Sequence, residues 1–235
     1  MAEALYLNDP YLKEWEATVT AVSKGKYIVL DKTAFYPNGG GQPWDTGTME
    51  INGTVYNVVY VGKFSGEISH EVDKEGLKQG DSVKCSVNWD RRYKHMCMHT
   101  AAHVIIQLFN QESGALITGN QLGEDKSRID LSTETFDREQ FTAYESKINE
   151  IIKRNMDVSF RTVPREEALK DPRLFKLAKG FPEEIKEIRI VSIGDYDIQA
   201  DGGTHVRNTK EIGTVKFVDF VNKGKNNRRI YYTLS

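Results

Sequence analysis

Polar and apolar residues alternate over much of residues 14–90, and this pattern predicts a series of short β-strands. The clearest candidates are the alternating or β-branched segments 17–22, 27–30, 55–61 and 82–87. Glycine-containing turn signals at 24–26 and 52–53 separate some of them. Because many short strands with regular turns are typical of a small closed barrel, we expect residues 1–90 to form a β-barrel domain.

Residues 91–235 show a mixed pattern of helix and strand. An apolar run that begins at His99 and extends to Phe109 contains no glycine or proline, and it predicts a buried helix. A second helical pattern with one apolar face follows Asp137, and Gln140 is placed to complete a capping box. Strands are predicted at 127–131, 158–163, 187–193, 213–220 and 228–234, the last two as a terminal hairpin.

The predicted fold class is therefore α+β, with an N-terminal small β-barrel packed on an α+β domain that has a mainly antiparallel sheet. Residues 89–92 lead directly into the helix that carries the histidines, without a long polar linker. For that reason we expect the two parts, 1–90 and 91–235, to pack closely.

Composition and charge narrow the possible classes of function. With 235 residues, of which 39% are hydrophobic and 28% charged, the chain is long enough for one large domain or two small ones. No apolar run approaches the about 18 residues of a membrane span, and we see no secretory signal. The two cysteines, Cys85 and Cys97, suggest no disulfide framework, so we expect a cytoplasmic protein. At a net charge of −2, RNA binding would depend on local basic patches.

Three of the five histidines lie in two short clusters that could bind a metal ion. His99 and His103 are four apart in the predicted helix, so both imidazoles lie on one face. A glycine-rich stretch far downstream begins with Asp201 and ends with His205, and the four side chains together form a plausible zinc-binding set. Two alternatives remain open at this point. A buried histidine often only stabilises a core by hydrogen bonding, and His95 could replace His103 as the partner of His99.

These clusters and three further motifs resemble those of a known family. The further motifs are the glycine-rich stretch 35–43, the basic stretch 91–93 before the helix, and 211–213 after the second cluster. In order and spacing they are similar to the editing domain of alanyl-tRNA synthetases, and above all to the free-standing AlaX trans-editing proteins of medium length. A related domain sits in threonyl-tRNA synthetases. The resemblance covers nearly the whole chain, and it implies that 91–235 is a metal-binding editing domain with one Zn²⁺ per chain.

One position departs from the family pattern. Where the family usually has a cysteine that binds zinc, this chain has Asp201. A carboxylate oxygen can bind zinc, so a site of three histidines and one aspartate is chemically possible, but it should be weaker than one with a thiolate. Asp201 could instead hold a neighbouring ligand through a hydrogen bond from outside the coordination sphere.

The histidine helix does not carry the pattern of the common zinc peptidases. Those enzymes have a glutamate as general base directly after the first histidine, and this chain has Thr100 there. A zinc ion at His99 and His103 could polarise an ester carbonyl, activate water or only orient the substrate. The resemblance favours orientation of the charged tRNA end.

Four further residues are candidates for a catalytic role in the site wall. Gly202 and Gly203 would let backbone N–H groups approach a ligand closely, although a strand connection with positive φ explains them as well. By resemblance, Thr118 lies near the family's threonine that contacts the side-chain hydroxyl of the substrate, and Gln121 is a weaker candidate for the same wall. A hydroxyl that bonds serine would reject alanine, because a buried polar group would lose its partner. Alternatively, Thr118 is a loop residue that has no role in substrate recognition.

A second glycine-rich segment consists of Gly39, Gly40, Gly41 and Gln42. It lacks the Lys-Ser/Thr of a P-loop and has predicted strands on both sides, so a tight connection between barrel strands is the simplest interpretation. The resemblance instead places these four residues against the editing pocket, where they would narrow it toward a small amino acid.

Two basic stretches are candidates for tRNA contacts. Basic residues mixed with aromatics such as Tyr93, Tyr231 and Tyr232 suit phosphate contact and stacking on an exposed terminal base. Such runs are also common on faces that contact only solvent. The candidate residues are Arg91, Arg92 and Lys94 before the histidine helix, and Lys223, Lys225, Arg228 and Arg229 in the predicted terminal turn.

We therefore hypothesise that the chain is a stand-alone hydrolase. It would cleave the ester between a wrong amino acid and alanine tRNA. Serine is the expected amino acid and glycine the second, because a synthetase pocket for alanine cannot strongly exclude such close neighbours. The rivals are a different metal hydrolase on the same fold and a non-catalytic RNA-binding module with a structural zinc. A closed shell of four protein ligands would favour the module, whereas an open position facing a pocket would favour an enzyme.

Overall fold

A computed structural model describes residues 2–133, 138–177 and 185–235, without the side chains of 138–140. The chain divides into two compact units, Met1–His95 and Met96–Ser235, and the boundary lies inside the helix that carries the histidines. The assignment of 1–90 and 91–235 as functional domains stays a prediction.

The first unit is built around an antiparallel barrel, as predicted. Six strands close it in the order β2-β3-β7-β6-β5-β8, and β1 and β4 form a separate parallel pair. The sequence pattern predicted four of the barrel strands and missed β5 and β7. The bounds are β1 (Glu3–Ala4), β2 (Glu14–Ser23), β3 (Tyr27–Leu30), β4 (Lys32–Thr33), β5 (Gly47–Ile51), β6 (Thr54–Phe64), β7 (Glu67–Val72) and β8 (Ser82–Val87).

Alternation along the strands fills the barrel with apolar side chains. In β2, Trp15, Ala17 and Val19 are buried, and the residues between them are exposed. Residues two apart on a strand point to the same face, so this pattern aligns one face with the core. Burial of each large apolar side chain contributes about 1.5–3 kcal/mol, and that core holds the barrel together.

Arg92 is fully buried in the first unit, so its predicted contact with tRNA is wrong. Its Nε donates to both carboxylate oxygens of Asp45 at 3.0 Å, and its Nη1 donates to Pro10 O at 2.8 Å. A charged side chain is stable in such a place only when its charge is paired and its donors are satisfied. The guanidinium therefore anchors the start of the histidine helix to segments of the first unit that lie outside the strands.

The second unit is α+β with antiparallel sheets, which confirms the predicted fold class. One sheet has the order β14-β15-β10-β9 and the other has the order β11-β12-β13. The helices are α1 (Trp89–Ser113, which begins in the first unit), α2 (Arg138–Ile152) and α3 (Arg165–Ala168). The strands are β9 (Ile117–Gln121), β10 (Ser127–Leu131), β11 (Val158–Pro164), β12 (Glu187–Ile193), β13 (Asp197–Ala200), β14 (Val215–Asn222) and β15 (Arg228–Leu234).

The predicted elements of this unit agree closely with the observed ones. The strands expected at 127–131, 187–193 and 228–234 have those bounds, whereas β9 and β13 were not predicted. The helix α1 extends ten residues before His99, from Trp89. The predicted cap at Asp137 lies outside the described residues.

Aromatic side chains fix the packing of α1 within the second unit. Phe109 of α1 stacks on Tyr144 of α2, with ring centroids 4.5 Å apart. Tyr232 of β15 is fully buried, and its hydroxyl donates to Met98 O at 2.8 Å. Tyr232 is therefore a core residue, and its predicted stacking on an RNA base is wrong.

Two further findings concern the membrane and the cysteines. Within the described residues, no helix is long and apolar enough to cross a membrane. Cys85 and Cys97 are both buried, and neither forms a disulfide bond.

Candidate metal centre

Four predicted ligands converge in the second unit. His99, His103, Asp201 and His205 each place one potential ligand atom within 4.8 Å of all the others. The three histidines are at most 3% exposed. His95 is not part of this group, so the structure decides between the two alternative pairs in favour of His99 and His103.

The helix α1 positions the first two ligands by its periodicity. His99 and His103 are four residues apart, and their ring centroids lie 5.3 Å from each other. Apolar residues surround them on the helix, and Ala102, Val104 and Ile105 are almost completely buried. The burial of this whole stretch places the imidazoles in the interior of the unit.

The loop after β13 carries the other two ligands, and Arg189 of β12 holds that loop. Arg189 Nη1 donates to Asp201 O at 3.1 Å and to Gly203 O at 3.0 Å. The guanidinium also lies over the ring of Phe160, 4.1 Å from its centroid. These contacts fix the backbone from which Asp201 and His205 reach the centre.

Gly203 is required because His99 occupies the space of a side chain. A Cβ atom at Gly203 would lie 2.2 Å from His99 Cε1 and 2.3 Å from His99 Nδ1, whereas at Gly202 nothing lies within 4 Å. Neither glycine has φ in the left-handed region, so the alternative explanation by positive φ is wrong. The N–H of Gly203 donates to Asp201 Oδ2 at 2.6 Å, and it is therefore not directed at a ligand.

Asp201 faces two of the histidines. Its Oδ2 lies 3.0 Å from His205 Nε2, and its Oδ1 lies 3.5 Å from His99 Nε2. Its side chain is 19% exposed, which makes it the most accessible member of the group. The carboxylate therefore lies at the rim of the cluster and completes it on the solvent side.

Burial keeps His99 and His205 neutral. It lowers the pKa of His99 to about 4, partly opposed by the attraction of Asp201. Burial, together with the neighbouring His99, also holds the pKa of His205 well below its usual range. Burial alone would raise the pKa of Asp201, but the neighbouring imidazoles, His99 foremost, hold it well below its usual value. At neutral pH His99 and His205 are therefore neutral imidazoles, and Asp201 is a carboxylate anion.

This donor set fits a zinc ion. Zinc–nitrogen bonds of about 2.0–2.1 Å in a tetrahedron place the donor atoms about 3.4 Å apart. The separations of 3.0 and 3.5 Å between Asp201 and two imidazole nitrogens are close to that spacing. Neutral imidazoles and an ionised carboxylate are also the protonation states that zinc requires.

Two of the imidazoles have partners on the side away from the cluster. His205 Nδ1 lies 3.2 Å from Thr100 Oγ1, and His103 Nδ1 lies 3.1 Å from Asp197 Oδ2. Asp197 is also paired with the buried Lys176. Sequence reasoning missed Asp197, Lys176 and Arg189, because nothing in their local pattern points to a residue so far away in the chain.

Thr118 and Gln121 lie on β9. Both side chains are exposed. The Thr118 hydroxyl donates to Asn227 Oδ1 at 3.2 Å, and Gln121 Oε1 accepts from Arg128 Nε at 3.3 Å. Their roles in substrate recognition stay predictions.

The glycine-rich loop of the first unit is a tight hairpin. Gly39 and Gln42 exchange two backbone hydrogen bonds of 3.2 and 2.9 Å, and Gly40 and Gly41 have φ of 58° and 85°. Positive φ at both central positions is typical of the type I′ turn, which favours glycine. The loop is thus a tight turn, but it lies between β4 and β5, and β4 is not a barrel strand, so the expected connection between two barrel strands is wrong. Gln42 is fully buried, and the contact of the four residues with an editing pocket stays a prediction.

The remaining basic candidates differ in how available their charge is. Lys94, Lys223 and Lys225 are exposed, whereas Arg91 and Arg228 are half-buried. Arg229 makes two hydrogen bonds to Asp130, at 2.7 and 2.8 Å, so its charge is largely compensated. The exposed lysines are therefore the better candidates for phosphate contacts.

Comparison with known proteins agrees with this geometry. Residues 188–231 match the family described as "Threonyl and Alanyl tRNA synthetase second additional domain", and residues 7–91 match "tRNA synthetases class II (A)". The match to the first family includes Asp201 and His205, two of the four clustered residues.

Relatives match over the full length. The Alanyl-tRNA editing protein AlaX-M of Methanosarcina mazei is 56% identical, and the alignment covers 100% of this chain and 97% of that protein. The AlaX-M protein of Saccharolobus solfataricus is 43% identical, with 100% and 99% covered. An alanine–tRNA ligase of Pyrococcus abyssi is 39% identical over 91% of this chain but only 24% of the ligase. The chain therefore belongs to the AlaX-M family of alanyl-tRNA editing proteins.

Proposed function

We propose that this protein is a trans-editing hydrolase, an aminoacyl-tRNA deacylase that removes wrongly attached amino acids from alanine tRNA. The observation that carries the proposal is the cluster of His99, His103, Asp201 and His205, in a chain that matches AlaX-M editing proteins over its whole length. The reaction is the hydrolysis of an ester and needs no ATP. Its place is translation fidelity in the cytoplasm.

The four clustered residues would hold one Zn²⁺ per chain. When bound, the ion would supply an electrophilic centre that orients the charged end of the tRNA. The chain's own contribution is the preorganised site: α1 presents His99 and His103, and Arg189 fixes the loop of Asp201 and His205. Thr100, in the position of the peptidase glutamate, contacts His205 and has no acid–base group to supply.

The proposed substrate is alanine tRNA that carries serine. Alanine tRNA that carries glycine is the second substrate. Discrimination against alanine requires a group that bonds the serine hydroxyl and loses its partner when alanine is bound. Thr118 is the candidate for that group. Its hydroxyl already bonds Asn227, so a serine hydroxyl would join or replace an existing polar contact.

The exposed turn between β14 and β15 is the proposed tRNA contact of the second unit. It carries Lys223 and Lys225, followed by Arg228. Tyr231 lies further along β15, half-buried, with Lys126 5.2 Å from its ring centroid. Cations beside an aromatic ring suit phosphate contact combined with base stacking.

One observation favours a rival function, a non-catalytic RNA-binding module with a structural zinc. If all four clustered side chains bound the ion at once, no position would remain open, and closed shells are typical of structural sites. Asp201 is the ligand that could leave, because its Oδ2 also accepts the N–H of Gly203.

Incubation with serine-, glycine- and alanine-charged alanine tRNA tests the proposal. The deacylase is expected to release serine fastest, glycine second, and alanine no faster than the uncatalysed reaction. Binding of all three without release of any amino acid would instead identify the RNA-binding module. Comparable release of all three would contradict an editing function. Thr118→Val should slow the release of serine more than that of glycine, because glycine has no hydroxyl to lose.

A further inference from the structure

Two residues outside the cluster contact the imidazole nitrogens that point away from it. Thr100 lies next to His99 on α1, and its Oγ1 is 3.2 Å from His205 Nδ1. Asp197 lies on β13, and its Oδ2 is 3.1 Å from His103 Nδ1. In both rings Nε2 is then the nitrogen left to face the cluster. Neither contact is predicted by the spacing of the ligands.

The other partners of Thr100 determine the direction of its contact with His205. Its hydroxyl donates to Met96 O at 2.9 Å, and its oxygen accepts the N–H of Val206 at 3.2 Å. A hydroxyl has one proton and two lone pairs. With the proton on Met96 O, the oxygen can only accept from His205, so Nδ1 carries the hydrogen and Nε2 keeps its lone pair.

Asp197 determines the direction of the second contact because it is a carboxylate. Lys176 Nζ is paired with its Oδ1, and Gln199 Nε2 donates to its Oδ2 at 2.9 Å. An ionised carboxylate accepts only, so His103 Nδ1 must donate and its Nε2 lone pair faces the cluster.

We propose that Thr100 and Asp197 are positioning residues of the metal centre, which hold the Nδ1–H tautomers of His205 and His103 and aim both Nε2 lone pairs at the zinc ion. Such outer partners fix the orientation and raise the basicity of metal-binding histidines. The inference rests on the zinc site proposed above, and it adds which ring nitrogens bind and which residues select them.

The wild-type protein tests the tautomers directly. Two-bond ¹H–¹⁵N correlation spectra of the ¹⁵N-labelled, zinc-loaded protein identify the protonated nitrogen of each histidine. The expected result is an Nδ1–H that exchanges slowly with solvent in both His103 and His205. Protonation at Nε2 in either ring would overturn the assignment for its partner.

Affinity for zinc, measured by competition with a chelator, tests the role of Thr100. Thr100→Val removes the oxygen at nearly constant volume, and the affinity should fall about 10- to 100-fold. Thr100→Ser keeps the oxygen and should restore most of the affinity. Faster solvent exchange or loss of the His205 Nδ1–H signal in Thr100→Val, but not in Thr100→Ser, would support the same role.

The first unit offers a matched control. Thr33 Oγ1 lies 2.9 Å from His70 Nε2, and both residues are fully buried. Thr33→Val therefore removes a similar threonine–histidine contact outside the cluster and should leave zinc affinity unchanged. An equal loss in both valine variants would indicate a general loss of structure, and wild-type affinity in Thr100→Val would overturn the inference while the zinc site stands. A wild-type protein that binds no zinc would overturn the proposed site as well.

Discussion

Gly203 and His99 are in such close contact that a single added carbon would displace the histidine. A Cβ atom at Gly203 would lie 2.2 Å from His99 Cε1, and real Cβ atoms essentially never approach another atom that closely. His99 is almost completely buried and cannot easily move away. Gly203 therefore contributes to the metal centre because its missing side chain leaves room for the ring of His99.

Gly203→Ala should weaken zinc binding about 10- to 100-fold, the range seen when groups that orient metal ligands are changed. Gly202→Ala is the matched control, because nothing lies within 4 Å of a Cβ at that position. Chelator competition on both variants measures the difference. Equal affinities would show that the loop adapts and that Gly203 is not required.

Asp201 should be a direct ligand of zinc. Asp201→Cys should then tighten zinc binding, because a thiolate suits tetrahedral zinc better than a carboxylate does, and Asp201→Ala should weaken it. The measurement is again competition with a chelator. The same affinity in wild type and both variants would place Asp201 outside the coordination sphere and leave three histidines as the site.

Arg92 and Arg91 are neighbours in sequence but should behave differently when mutated. Arg92→Met leaves the carboxylate of Asp45 buried without its partner, and it should cost about 3–5 kcal/mol of unfolding free energy. Arg91→Met should cost less than about 1 kcal/mol, because Arg91 is half-buried near the surface. Denaturant unfolding separates the two variants. A larger loss for Arg91→Met would contradict the structural role given to Arg92.

The buried His70 predicts a loss of stability in mild acid. Burial lowers its pKa from 6.5 to about 4, partly opposed by a hydrogen bond to Ile28 O. Between these values the unfolded chain binds a proton that the folded chain does not, so stability falls as the pH falls from 6.5 to 4. The loss is about 3 kcal/mol in total, at about 1.4 kcal/mol per pH unit.

Chemical unfolding at several pH values measures this dependence against His70→Gln. The other histidines remain in both proteins, so the difference between the two curves reports His70 alone. The variant should lose less stability across the interval. Parallel curves would mean that His70 has the same pKa in the folded and the unfolded protein.

The sequence predicted those features that depend on local periodicity. Alternation located β3, β8 and β10 with their observed bounds, and the spacing of His99 and His103 identified the face of α1 that carries the cluster. Both signals are readable because neighbouring residues on one element produce them.

Features that depend on long-range packing could not be predicted. Arg92 belongs to a basic run, and only the position of Asp45 in the folded barrel shows that its charge is buried. The requirement for Gly203 arises from the ring of His99, about a hundred residues away in the sequence. The strand β9 was missed because glycine and two polar residues interrupt its alternation.

The most direct test is the zinc content and deacylation rate of His103→Ala, compared with wild type and with His70→Gln as a histidine control outside the cluster. Zinc content is measured by elemental analysis. The deacylation rate is measured with serine-charged alanine tRNA as substrate. His103→Ala should lose both zinc and activity while its barrel stays folded, and the control should keep both. Undiminished zinc and undiminished serine release in His103→Ala would contradict the assignment of this cluster as the metal centre of an editing enzyme.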